Sequence, residues 1–172
     1  DELLIYENKI VVVGYSYGYE ATEIGQFALH EDGTIAHHST NFLRSNDYYS
    51  SRNYASRLVG SKLIFYMPFY FYDRYSDDQR IMLPGQSTLL PSGQKSEWQD
   101  IIETSSIIQP VEETLSPVLH TIAECDLGTE PLNCKATSVI GPYSRTFYVS
   151  PHAVYLWTSS QEGSAVYRLP LD

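Results

Sequence analysis

Residues 51–67 read SRNYASRLVGSKLIFYM. A moderately apolar run, Tyr54 to Val59, meets the polar pair Gly60-Ser61 and gives way to a strongly apolar run from Leu63 to Phe71. Runs of this length rich in Val, Ile, Tyr and Phe, bounded by turn residues, read as strands. The same pattern recurs in LLIYENKIVVVG (residues 3–14) and in FYVSPHAVYLWT (residues 147–158). The segment is thus one copy of a repeated strand–turn–strand unit, and repeats at this scale are the mark of repetitive β architectures.

Working outward from it, Ile10–Val13 is a β-branched strand apolar on both faces, as in the middle of a packed domain. Thr22–Leu29 alternates, His30-Glu31-Asp32-Gly33 carries the Asp-Gly hairpin signal, and Thr34–Phe42 is the return. Four short strands therefore lie between Ile10 and Val59, with a fresh start at Leu63. A four-stranded meander repeated at this spacing describes a β-propeller blade, and residues 51–67 then form the joint between two blades. The spacing from Leu63 to Ala153 is one blade plus an insertion at about 73–104. There Pro84, Gly85, Pro91 and Gly93 interrupt any period, and EWQDIIE (residues 97–103) has the look of a short helix. Strands resume at Val118–Leu127, Ala136–Ile140, Arg145–Ser150, Ala153–Thr158 and Ala165–Leu169.

The fold expected is all-β: about two four-stranded antiparallel blades and part of a third, in one unit spanning residues 1–172. Propellers close with about four to eight blades. The chain is therefore expected to be a fragment of a larger propeller, the alternative being that several copies complete one. It opens on Asp1 and carries no leader, which fits a processed or excised piece of a longer polypeptide.

Composition narrows the function. Acidic residues outnumber basic ones, 21 against 11, for a net charge of -10. Such a field repels a phosphate backbone and argues against nucleic acid. The longest apolar run is too short to span a bilayer as a helix. Few charges beside 15 tyrosines is a profile common in all-β proteins outside the cytoplasm. Cys125 and Cys134 bracket DLGTEPLN, a hairpin-like connection suited to a disulfide, which would imply an oxidising compartment; the alternative is two free, buried thiols. Two cysteines at this spacing do not make a tetrahedral metal set.

SRNYASRLVGSKLIFYMP (51–68), LHTIAECDL (119–127) and CKATSVIGPYSRTFYVSPHAVYLWTS (134–159) together resemble the secreted bacterial and archaeal proteins with a C-terminal β-propeller domain distantly related to WD40 repeats. The resemblance covers most of residues 10–172, is most specific from Arg145 to Trp157, and is weakest over the insertion. It implies an extracytoplasmic, multi-bladed propeller and no catalytic residues. The WD and GH signatures of true WD40 repeats are absent.

Chemistry-bearing residues are sparse. Asp73, Asp77 and Asp78 could hold Ca²⁺, but their spacing is not that of an EF-hand, and a solvated acidic loop is the plainer reading. Glu97, Asp100 and Glu103 would share a face if that piece were helical. Paired carboxylates serve glycosidases, but an exposed polar face is the plainer reading. His30, His37, His38, His120 and His152 are scattered and read as strand-surface residues. Ser50, Ser51 and Ser144 lack a nucleophile elbow. No catalytic residue, metal site or cofactor is assigned. What stands out is tyrosine: Tyr48, Tyr49, Tyr54, Tyr66, Tyr70, Tyr72 and Tyr75, with Tyr15, Tyr17 and Tyr19 earlier. Aromatic residues among few charges suit protein or sugar contacts. Strand residues such as Tyr54 and Tyr66 are expected between sheets; the loop residues Tyr17, Tyr19, Tyr48 and Tyr49 are the candidate binding set. The function expected is a non-enzymatic extracytoplasmic scaffold that binds protein, or the rest of its own propeller. The alternative is a carbohydrate-binding or glycan-hydrolysing propeller.

Overall fold

The computed structural model describes residues 2–45, 56–71, 83–110, 114, 116–161 and 163–171. The elements are β1 (Glu2–Tyr6), β2 (Lys9–Ser16), β3 (Ala21–Leu29), β4 (Ile35–Arg44), β5 (Ser56–Val59), β6 (Lys62–Tyr70), β7 (Gly85–Thr88), β8 (Gln99–Asp100), a 3₁₀ turn (Thr104–Ser106), β9 (Ile107–Ile108), β10 (Val118–Asp126), β11 (Asn133–Gly141), β12 (Ser144–Val149), β13 (Ala153–Ser159) and β14 (Ser164–Pro170). Among the described residues there is no α-helix.

These strands make three sheets. The first is the antiparallel meander β1-β2-β3-β4, widened at the β4 edge by β7 and β8. The second is antiparallel in the order β5-β6-β10-β11, with β9 added parallel to β11; between β6 and β10 the chain returns to the first sheet as β7 and β8. The third is β12-β13-β14. Each of the three repeated segments forms the opening hairpin of a different sheet: β1-β2, β5-β6 and β12-β13.

This corrects the reading of residues 51–67 as a joint between blades. Val59 pairs with Lys62 across a two-residue turn, so Ser56–Val59 opens the second sheet and does not close the first. Gly60 sits at φ +60 in the first central position, which a type II′ hairpin turn reserves for glycine. A turn this tight returns the chain onto its neighbour and leaves no length to cross between sheets. Leu3–Tyr6, likewise, is the first strand of the first sheet, on the far side of a Glu7-Asn8 turn.

Residues 97–103 are extended, not helical: Gln99–Asp100 pairs with Gly85–Gln86. The insertion at about 73–104 is therefore in part regular. Gly85–Thr88 extends β4, and Ser87 and Thr88 are tied down by Ser96, whose carbonyl accepts the Ser87 hydroxyl at 2.8 Å and whose own hydroxyl accepts the Thr88 amide at 3.0 Å. The chain then crosses to the second sheet. The Ala136 amide donates to the Ile101 carbonyl at 2.8 Å, and Ile107–Ile108 pairs with β11. Residues 85–108 thus form a strap along the outer edges of the first two sheets.

Two apolar clusters hold the sheets face to face. Val11, Val13, Ile24 and Leu43 of the first sheet meet Leu63, Phe65, Leu119 and Leu127 of the second. Ile64, Tyr66, Ile122 and Val139, from the opposite face of the second sheet, meet Val154, Leu156 and Leu169 of the third. The second sheet is buried on both faces, which is why β6 reads as a nearly unbroken apolar run. Burying a Leu or Phe side chain contributes on the order of 1.5–3 kcal/mol, so these clusters dominate the stability of the stack. Cys125 and Cys134 face each other across β10 and β11 and are joined by a disulfide on the face toward the first sheet.

Candidate binding surface

Of the four tyrosines expected to bind, Tyr17 and Tyr19 are exposed on the β2–β3 connection; Tyr48 and Tyr49 lie outside the described residues. The Tyr15 and Tyr17 rings meet edge-on at 5.4 Å. Tyr19 leans over Phe42 at 4.7 Å, so its ring covers a large apolar side chain on the outward face of the first sheet. The candidate Ca²⁺ carboxylates Asp73, Asp77 and Asp78 and the residues Ser50, Ser51, Tyr54, Tyr72 and Tyr75 also fall outside the described residues.

The remaining sequence candidates do not converge. Glu97, Asp100 and Glu103 are exposed along the extended strap, and Asp100 approaches Arg44 at 3.8 Å. His30 and His152 are exposed. His37 bonds Thr40 at 2.9 Å and abuts Phe27, whereas His38 reaches Glu130 at 3.1 Å, so the two neighbours occupy opposite faces. Among the described residues there is no group of three or more His, Cys, Asp or Glu side chains that could hold a metal ion, and no helix long and apolar enough to cross a membrane.

His120 is not a surface histidine. It is fully buried on β10, between the second and third sheets. Its Nε2 lies 2.9 Å from the Pro142 carbonyl and its Nδ1 2.7 Å from the Tyr66 hydroxyl. A carbonyl can only accept, so Nε2 carries the proton, Nδ1 accepts from Tyr66, and the Tyr66 oxygen accepts the Arg145 Nε proton at 3.0 Å. The donor order is fixed along the whole chain of bonds. Burial pushes His120 down to about 4; the Pro142 hydrogen bond opposes this and the nearby Arg145 charge reinforces it. The ring is therefore neutral in neutral solution and acts as an inter-sheet clamp. Tyr66, expected between sheets, is there, stacked on Phe147 at 4.6 Å. From Arg145 the cluster runs outward: the guanidinium lies 5.0 Å from the ring of exposed Tyr143, which stacks on Tyr70 at 6.0 Å.

The sequence reading missed the outward face of the third sheet. Tyr148 pairs with Tyr155 and Thr146 with Trp157, on β12 and β13, and Trp157 pairs with Val166 on β14. Tyr148, Trp157 and Val166 are 66%, 53% and 58% exposed. An open depression of about 390 Å³ lies beside them, lined by Ser144, Arg145, Thr146, Trp157 and Ser159. The alternation in FYVSPHAVYLWT carried this signal: Phe147, Val154 and Leu156 face inward, and the aromatics between them must face out. The first sheet has a similar face at the other end of the stack, where Leu3, Ile5 and Ile35 are 65%, 60% and 58% exposed.

No protein-family model, no curated protein and no solved structure matches the chain.

Proposed function

We propose that the chain is a segment of a β-propeller, akin to the secreted WD40-like proteins it resembles, working outside the cytoplasm as a non-enzymatic protein-binding or surface-assembly scaffold. One observation carries this reading: three sheets, each opened by the same hairpin, stack through two separate apolar clusters and leave apolar side chains exposed on both end sheets. Blades of an incomplete propeller have this form. The disulfide supports an oxidising compartment. Among the described residues, the buried histidine is held by its hydrogen bonds, and the carboxylates Glu97, Asp100 and Glu103 are spread along the strap.

Affinity capture from an extracytoplasmic fraction tests it, with wild type and a Tyr17→Ala/Tyr19→Ala variant side by side. A partner retained by the wild type and lost by the variant supports the loop as a binding site; identical capture refutes it. A carbohydrate-binding reading draws on Trp157, whose exposed indole sits beside the hydroxyls of Ser144, Thr146 and Ser159, an arrangement suited to stacking on a sugar ring. Glycan-array binding by the wild type that disappears in Trp157→Ala would favour that second reading.

A further inference from the structure

Arg145 is a half-buried cation without an anion. Among the described residues, Lys9, Arg44 and Lys62 each lie within 4 Å of a carboxylate, those of Glu130, Asp100 and Glu124. Arg145 meets none, although acidic residues outnumber basic ones 21 to 11 along the chain. Its side chain runs inward from β12 into the crevice between the second and third sheets. There Nε donates to the Tyr66 hydroxyl at 3.0 Å and Nη1 to the Tyr143 carbonyl at 3.3 Å. The guanidinium lies 5.0 Å from the Tyr143 ring and 5.8 Å from the Tyr66 ring. Nη2 is buried and has no hydrogen-bond partner. Burial works against the charge, but Tyr66, Tyr70 and Tyr143 outweigh it, so the group stays ionised. His120 beside it is neutral in neutral solution and supplies no counter-charge.

A guanidinium holds its N–H donors in a rigid planar fork, and a charged donor left buried without an acceptor costs free energy. An acceptor brought from outside removes that cost. The acceptor that matches the end of the fork is a carboxylate, whose two oxygens take parallel bonds from Nη1 and Nη2. The way in lies past Tyr143. Its ring is 59% exposed and stacks on Tyr70 at 6.0 Å. It stands in the turn between β11 and β12, where a change of rotamer breaks no strand hydrogen bond. The crevice lies between two sheets of the described chain, so it does not depend on what packs against either end of the stack. Arg and Tyr are also the residues on which the energy of protein contacts concentrates. We infer that the Arg145 fork, walled by Tyr70 and Tyr143, receives the carboxylate of an acidic side chain on a bound protein.

The inference rests on the protein-binding reading for the kind of ligand, and on the crevice alone for the site. NMR of the arginine Nε–H groups tests it, with the Arg145 signal identified by its loss in Arg145→Lys. Sodium acetate, at an ionic strength held constant with chloride, should move that signal saturably and leave that of Arg44, already beside Asp100, in place. The tripeptide acetyl-Gly-Glu-Gly-amide should bind more tightly than acetate, and its Gln counterpart should not bind. Arg145→Lys keeps the charge and loses the fork; it should weaken the tripeptide roughly tenfold or more, read from the backbone amides of β12. Tyr143→Ala removes the covering ring and leaves the bond from Arg145 to Tyr66, so it should bind the tripeptide several-fold more tightly than the wild type. It decides the matter even where Arg145→Lys fails to fold. An Arg145 signal unmoved by acetate and by the tripeptide overturns the inference, and so does equal affinity in wild type and Tyr143→Ala. Galacturonate bound more tightly than the tripeptide overturns the protein ligand in favour of a sugar acid. If no carboxylate binds while the capture that depends on Tyr17 and Tyr19 succeeds, the Arg145 site falls and the scaffold reading stands.

Discussion

Acidification should destabilise this protein through one side chain, His120. Its folded-state value is about 4, against an ordinary histidine value of 6.5. The unfolded chain therefore binds a proton in the interval between those values while the folded chain does not. Stability from the neutral, buried ring is complete above the unfolded value and is lost as the pH falls toward the folded one. Going from about pH 7.5 to about pH 4.5 should remove roughly 2–3 kcal/mol, taking 1.36 kcal/mol per unit of displacement. The window is clean because the carboxylates with lowered values act further down. Asp32, held low mainly by Thr34, Asp126, by the Gly128 amide, and Glu130, by Lys9, contribute stability that is present above the ordinary carboxylate range and lost below it. The assay is urea unfolding at several pH values for wild type and His120→Gln. The variant should be less stable near neutrality by roughly 1–3 kcal/mol, since the Tyr66 hydroxyl and the Pro142 carbonyl lose a well-placed partner. It should also show a much flatter dependence between the two pH limits. Parallel curves for the two proteins would refute the argument, as would an NMR titration placing His120 at the ordinary histidine value.

Reduction of the Cys125–Cys134 disulfide, which closes a short loop, should cost about 2–3 kcal/mol, read as a shift in the urea midpoint with and without reductant. Gly60→Ala should cost on the order of 1 kcal/mol in the same assay: an added Cβ meets nothing within 4 Å, so the penalty is that of the left-handed backbone alone. Glu7 occupies the corresponding turn at φ +52, and Glu7→Gly should raise stability by a few tenths of a kcal/mol up to about 1 kcal/mol. Gly141→Ala should destabilise by roughly 1–3 kcal/mol, because its Cβ would stand 3.3 Å from Thr158 Cγ2 and 3.4 Å from the His120 ring, in a region already packed. A thermal melt unchanged from wild type would count against that packing argument.

Strand positions were legible because period-2 alternation and turn chemistry act over a few residues. The repeated hairpin, the Gly60-Ser61 turn and the Cys125–Cys134 pairing could all be read that way. Which sheet a strand joins is a different matter. Ser56–Val59 reads as the last strand of the preceding group by strand count, whereas its partners Lys62–Phe65 lie directly across the Gly60-Ser61 turn. Residues 97–103 have helical spacing of Trp98 and Ile101, but Trp98 is fixed by Lys95 and Arg44, at 4.1 and 4.8 Å, and the Pro84 carbonyl takes the Ile101 amide. Those tertiary contacts override a weak local preference. Of the candidate binding surface, the aromatic loop at Tyr17 and Tyr19 could be seen in the composition. The third sheet's outer face could not, since exposure depends on what fails to pack against it.

The strap formed by residues 85–108 has a mechanical consequence. It bonds to the edges of the first and second sheets, and Gln86 alone bridges to Leu132 and Cys134, while Lys9 reaches the Leu127 carbonyl. The third sheet has no such girdle among the described residues and is held by one cluster and the Tyr66–Arg145–His120 bonds. Amide exchange should therefore resolve two cooperative blocks, with β12–β14 opening as a hinged flap well before the girdled pair lets go.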